Sequence, residues 1–177
     1  MDPNECYKEL YCDGGTLAEY ALAQSLKQDL WMWYPHFGSS VFSLDLDQVL
    51  SLCPTLDTIN NIAKIKHAIV TNMTPNDHYK LHIDETAGPR INMLLKSQNS
   101  FSAFIDVNNN KTVHMNYQPN KLYIFNTQVP HTIFNFEGDR YLFSIEFEEH
   151  KSVLPYRGFV KRLRREEKLT GSLSLIH

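Results

Sequence analysis

A chain of 177 residues, 42% of them hydrophobic, can bury one substantial core, and the sequence reads as a single domain over 1–177. Its net charge of −3 gives no global electrostatic pull toward nucleic acid or an anionic membrane, and 12% aromatic content argues against disorder. Three cysteines, Cys6, Cys12 and Cys53, leave one unpaired under any disulfide scheme, and neither a leader pattern nor a membrane-length apolar run is present, so a soluble, cytoplasmic protein is expected.

Residues 1–64 read as mostly helical support. Thr16 to Glu19 has a capping-box pattern and Leu22, Leu26 and Leu30 follow at helical spacing, which predicts a helix of about fifteen residues. A second helical tract runs from Asp45 to Leu52, and Pro54 is placed to open a third, with Leu56, Ile59 and Ile62 on one side. From 65 to 150, strand-like runs follow one another at 66–73, 77–84, 90–96, 101–107, 112–117 and 121–126. They end in a predicted hairpin of 131–136 and 140–147 about Glu137-Gly138. This pattern predicts a mainly β fold with N-terminal helices, a double-stranded β-helix (jelly roll, cupin-like), the helices covering one outer face. Residues 151–177 form a C-terminal extension, in which Lys161, Arg162, Arg164, Arg165 and Lys168, broken by Glu166-Glu167, read as a solvated helix rather than a nucleic-acid site. Gly171 to His177 carry no assignment.

If 77–84 is extended, alternation puts His82 and Asp84 on one side of the strand and Leu81 and Ile83 on the other. His131 would join them from a distant strand. In the predicted hairpin Asn135 pairs with Arg140, Ile133 with Leu142 and His131 with Ser144, a face looking into a cavity. Thr132, Phe134, Phe136, Tyr141, Phe143, Ile145 and Phe147 would form the packed back face. Two imidazoles and one carboxylate are the set that holds a non-haem Fe(II) on one face while leaving other positions open. Singly, each residue has a blander reading: a surface His82, a hydrogen-bonded core His131, an exposed hairpin Arg140. Order, spacing and parity taken together favour the metal site. His78 shares the parity of His82 but lies about 13 Å down the strand, whereas His114 stays open as a third histidine of a cupin-type site. His36, His67, His150 and His177 read as solvated or structural.

His82-x-Asp84, His131 and Arg140 resemble the Fe(II)/2-oxoglutarate-dependent dioxygenases, over about 69–147 of the chain. The segment Gly88 to Leu95 also resembles the strand after HxD in the aspartyl/asparaginyl hydroxylase-like and phage-type branches. The resemblance implies that His82, Asp84 and His131 bind iron, that Arg140 pairs with the distal carboxylate of 2-oxoglutarate, and that Asn92 or Arg90 helps to hold it. Asn135, Asn126 and Ser144 would orient ligands or co-substrate. Fe(II), with 2-oxoglutarate and O2 as co-substrates, would then hydroxylate an unactivated C–H bond, in a peptide or amino-acid side chain ahead of small metabolites. Asp77, Tyr79, Glu85 and Thr86 are rim candidates by position. The alternative is a cupin-like metal- or ligand-binding module without 2-oxoglutarate chemistry.

Overall fold

A computed structural model describes residues 1–34 and 38–171 of the chain, so that His36 and 172–177 lie outside the described residues. A short helix α1 (Pro3–Cys6) leads into β1 (Tyr7–Leu10), followed by α2 (Gly15–Ser25), a 3-10 turn (Gln28–Leu30), β2 (Met32–Tyr34) and β3 (Ser39–Ser43). Two helices, α3 (Leu46–Leu52) and α4 (Pro54–Ile62), precede β4 (Ile65–Met73), β5 (Asp77–His82), β6 (Arg90–Lys96) and β7 (Asn99–Asp106). Then come β8 (Lys111–His114), β9 (Leu122–Phe125), β10 (His131–Glu137), β11 (Arg140–Phe147) and α5 (Tyr156–Thr170).

The strands form a seven-stranded sheet, ordered β1-β9-β6-β11-β4-β3-β2, and a four-stranded sheet, ordered β5-β10-β7-β8, all pairs antiparallel. This is the jelly roll that the strand pattern predicts. The large sheet is half-covered by helices because its outward residues are apolar: Val70, Ile91, Met93, Ile124, Phe143 and Ile145 pack against Leu17, Ala21, Leu56, Ile59, Phe159 and Leu163. Each such Leu or Ile removed from water contributes about 1.5–3 kcal/mol. A smaller cluster of Cys6, Phe104, Met115, Tyr123 and Phe125 closes one region between the sheets.

Several local expectations change. The predicted capping box does not form: Gly14 is the N-cap of an α2 of 11 residues, Gly15 N donates to Asp13 Oδ1, and Trp31 Nε1 donates to the Ser25 carbonyl at the other end. Gly14 N is bonded to the Asn120 carbonyl, so the turn before β9 fixes where the helix begins. The first 64 residues are not merely helical, because β1 and β2–β3 extend the large sheet at both ends. The C-terminal segment is no appendage either: α5 buries Tyr156, Phe159, Val160 and Leu163.

The predicted β10–β11 hairpin is absent. β10 pairs with β5 and β7, whereas β11 pairs with β4 and β6, so Gly138, at φ +63°, turns the chain from one sheet to the other. None of the expected cross-strand pairs is made, since each strand spends both edges on other partners. Parity within each strand persists, and the inner faces of β10 and β11 oppose one another across the sandwich. The back faces differ: Phe143, Ile145 and Phe147 are buried, but Phe134 and Phe136 are 36% and 50% exposed because no described helix covers the small sheet.

Candidate metal centre and its surroundings

The decisive local feature is a bulge in β5. His131 faces His82 and Ile133 faces Tyr79, so one intervening residue of β10 opposes two of β5, Lys80 and Leu81. The bulge turns Tyr79 inward and sends His78 outward, where its ring stacks on Phe134 at 5.5 Å. Simple alternation, which gave His78 the parity of His82, fails at this point. His114 likewise sits edge-on to Phe101 and is exposed.

Asp84 follows the strand end, with its backbone N–H on the Thr127 carbonyl. One ligand atom from each of His82, Asp84 and His131 lies within 4.8 Å of the other two. Asp84 Oδ1 is 3.3 Å from His82 Nε2 and 3.9 Å from His131 Nε2. Donors about 2.1 Å from a shared ion at right angles would stand about 3 Å apart, so small side-chain adjustments close the set. Each histidine uses Nδ1–H on a backbone carbonyl, Lys80 at 2.7 Å and Val129 at 2.9 Å. That fixes Nδ1 as the donor to the backbone and turns Nε2 of each ring toward Asp84, where His82 Nε2–H donates to the carboxylate when protonated and is free to ligate once that proton is lost. The hydrogen bond to Asp84 raises the His82 pKa, whereas burial lowers that of His131. Burial opposes ionisation of Asp84, but His82, Arg90 and His131 together outweigh it and hold the carboxyl below its ordinary value.

Arg90 stands beside this trio. Its Nε is 3.6 Å from Asp84 Oδ2 and its Nη2 is 2.7 Å from Glu146 Oε1. The guanidinium is therefore engaged by two carboxylates. A cavity of about 550 Å³ opens from the trio, lined among others by Thr71, Tyr79, Asn92, Thr127, Leu142 and Ser144. Within it Ser144 Oγ donates to Asn92 Oδ1 at 2.6 Å.

Arg140 shares the inner face of β11 with Leu142 and Ser144 and is 2% exposed. Among the described residues it has no carboxylate within salt-bridge distance; Nη2 reaches Ser102 Oγ at 3.4 Å, the ring of Tyr117 lies 5.9 Å away, and Nε has no partner. Burial lowers its pKa and raises those of Tyr79 and Tyr117, while the Arg140 charge draws both tyrosines back down. A buried guanidinium without a counter-charge costs several kcal/mol.

Asn135, also buried, donates Nδ2 to the carbonyls of Met73, Thr74 and Gly138 and so ties three chain segments together. Asn126 holds the Glu5 carbonyl. Thr127, Tyr117 and Glu146 were not singled out from the sequence; Thr127 follows an ordinary strand end, Tyr117 lies beyond the last residue of β8, and Glu146 gains meaning only when β11 sits beside β6. His67 is exposed and His150 hydrogen-bonds with Ser152. No described helix is long and apolar enough to cross a membrane.

No family model matches the sequence, and no curated protein matches it. Solved structures do match in shape. A prolyl hydroxylase from Trichoplax adhaerens, in complex with a hypoxia inducible factor oxygen degradation domain peptide, superposes with a TM-score of 0.62 at 15% identity, covering 82% of this chain and 84% of that one. The chain has the fold of the 2-oxoglutarate–Fe(II) oxygenases. A Pseudomonas putida prolyl-4-hydroxylase gives a TM-score of 0.59 at 13% identity over 80% and 91% of the two chains. The viral collagen prolyl hydroxylase of Paramecium Bursaria Chlorella virus-1 gives 0.54 at 10% over 80% and 94%. The residues fit the groups named for these oxygenases: a two-histidine, one-carboxylate set suits a ferrous ion, and Arg140, whose buried Nε has no partner among the described residues, suits a carboxylate.

Proposed function

We propose that the protein is an Fe(II)- and 2-oxoglutarate-dependent dioxygenase that hydroxylates an unactivated C–H bond. The observation that carries this reading is Arg140, a fully buried cation with no carboxylate within salt-bridge distance among the described residues, on the strand face that looks across at His131. A metal-binding module would have no use for it. Bound by His82, Asp84 and His131, Fe(II) would supply sites for a chelating 2-oxo acid and for O2 and couple decarboxylation to substrate oxidation.

The chain's own residues do the positioning. Carbonyls of Lys80 and Val129 fix the imidazole tautomers, and the Thr127 carbonyl fixes the Asp84 backbone. Arg140 would pair with the distal carboxylate of 2-oxoglutarate, and Asn92 with Ser144 would supply polar contacts along the cavity floor. Ile133, Leu142 and Phe125 line the same cavity and exclude water. A peptide or amino-acid side chain is the substrate class we favour: the Trichoplax neighbour is a prolyl hydroxylase seen with a peptide, and the groove beside Asp84 and Arg90, about 790 Å³, is open enough for one. Free thiols at Cys6, Cys12 and Cys53 suit a cytoplasmic setting.

Anaerobic titration of the Fe(II)-loaded protein with 2-oxoglutarate tests the reading. A saturable visible charge-transfer band that disappears in His131→Ala is expected. Folded, iron-loaded protein that shows neither band nor 2-oxoglutarate binding would overturn it in favour of a cupin-like module.

A further inference from the structure

A second cavity, about 830 Å³, lies between α1, the start of β1 and α5. Among the described residues six cationic side chains line it, Lys8, Arg157, Lys161, Arg164, Arg165 and Lys168, against one carboxylate, Glu5. In a chain whose net charge is −3 this is a marked local reversal of sign. Glu5 is already engaged by Arg157 at 2.8 Å. Among the described residues none of the other five cations has a carboxylate within 4.0 Å.

Lys8 decides what this groove is built for. It is only 8% exposed, and its Nζ donates to Asn4 Oδ1 at 2.9 Å, a neutral partner. Burial, and then the neighbouring Arg164 charge, hold the ammonium below the usual lysine range, with Asp2 and Glu5 drawing it only part of the way back. Lys8 and Arg164 line one groove and, among the described residues, neither has a carboxylate within salt-bridge distance, so a compact dianion is the ligand that neutralises both. A carboxylate offers a single charge, whereas a phosphomonoester offers nearly two, with three acceptor oxygens. The basic stripe of α5 runs about 16 Å, which gives such a ligand further cations beyond its phosphate. A single nucleic-acid strand is the poorer fit, because the one ring among the described residues that line the groove, Tyr156, is 3% exposed and offers no face on which a base could stack.

We propose that this groove binds a phosphomonoester, its phosphate held between Lys8 and Arg164, with Lys161, Arg165 and Lys168 flanking it. The ligand is either a small phosphorylated molecule or a phosphorylated side chain of another protein.

Calorimetric titration of the full chain with inorganic phosphate, a phosphoserine peptide, its unphosphorylated twin and oligothymidylate separates these cases. Lys8→Met keeps the stem of a buried residue, and Arg164→Gln changes an exposed one that the fold tolerates; circular dichroism verifies both. Saturable phosphate binding that weakens about tenfold in each folded variant and falls with salt is the expected result. Tighter binding of the phosphopeptide than of phosphate, with none of its twin, assigns the ligand to a modified protein, and equal binding assigns it to a small molecule. Absence of saturable binding of phosphate and phosphopeptide overturns the proposal. So does binding indifferent to both substitutions, or binding of oligothymidylate alone. None of these readouts involves iron or 2-oxoglutarate.

Discussion

Asp84 divides its two oxygens between two tasks: Oδ1 faces the histidine nitrogens and Oδ2 faces Arg90, which Glu146 anchors from the neighbouring strand. Held in this way the carboxylate would bind a metal through one oxygen and leave further positions free. Arg90→Met should therefore lower metal affinity by about tenfold without unfolding the protein, as read by Co(II) titration and thermal denaturation; unchanged affinity would assign Arg90 to the groove alone. Protons compete at the same site. His82 keeps its proton above the ordinary value of 6.5, and ligation requires it neutral, so apparent metal affinity should fall from pH 8 to pH 6, by about tenfold. In the metal-free chain the sign reverses: the His82–Asp84 pair contributes fully below the unfolded histidine value and is lost as pH rises through the raised folded one. His131, lowered by burial, contributes instead above the unfolded value and loses that contribution as pH falls.

The bulge in β5 is what lets Tyr79 and His82, three residues apart, both line the inner cavity. Deleting Lys80 should leave Leu81 alone against Thr132, with His82 still opposite His131, so that metal binding read by Co(II) titration survives with native circular dichroism; lost binding would mean that the bulge itself aims the His82 ring. Gly14 makes a second case: an added Cβ would meet the Asn120 carbonyl oxygen and Met93 Sδ, each at 2.8 Å, so Gly14→Ala should cost about 1–3 kcal/mol in denaturant titration. Both features bear on what a sequence can tell. Arg90–Lys96 and Arg140–Phe147 are strands with the bounds expected from their β-forming side chains, and the trio of His82, Asp84 and His131 is legible because its residue types and order are unusual together. The bulge was not legible, since Lys80 and Leu81 fit an ordinary strand as well as a bulged one. Nor was the sheet change at Glu137-Gly138-Asp139, because a positive-φ glycine serves a hairpin and a crossover equally well. Tyr7–Leu10 is too short to show alternation, and it is a strand because β9 offers it an edge.

At the scale of the whole molecule, one buried charge sets stability against function. Arg140→Met removes from the interior a guanidinium that has no carboxylate partner among the described residues, and should stabilise the ligand-free protein by about 1–4 kcal/mol. The same change should abolish the rise in melting temperature that 2-oxoglutarate gives to the wild type. Calorimetry of both proteins with and without the co-substrate reads the two effects together, and a ligand-free variant no more stable than wild type would mean that Ser102 and Tyr117 already compensate the charge.

The latch between Asn126 and α1 sets the order of events during synthesis. Asn126 Nδ2 donates to the Glu5 carbonyl, 121 residues away, its N–H bonds Cys6, and the next residue, Thr127, holds Asp84. On the ribosome, β1 emerges early but has no strand to join until β9 follows, and closing so long a loop is slow. The three would-be ligands therefore come together only after both halves of the sandwich are made, and a nascent chain offers a passing metal ion no finished site to occupy prematurely.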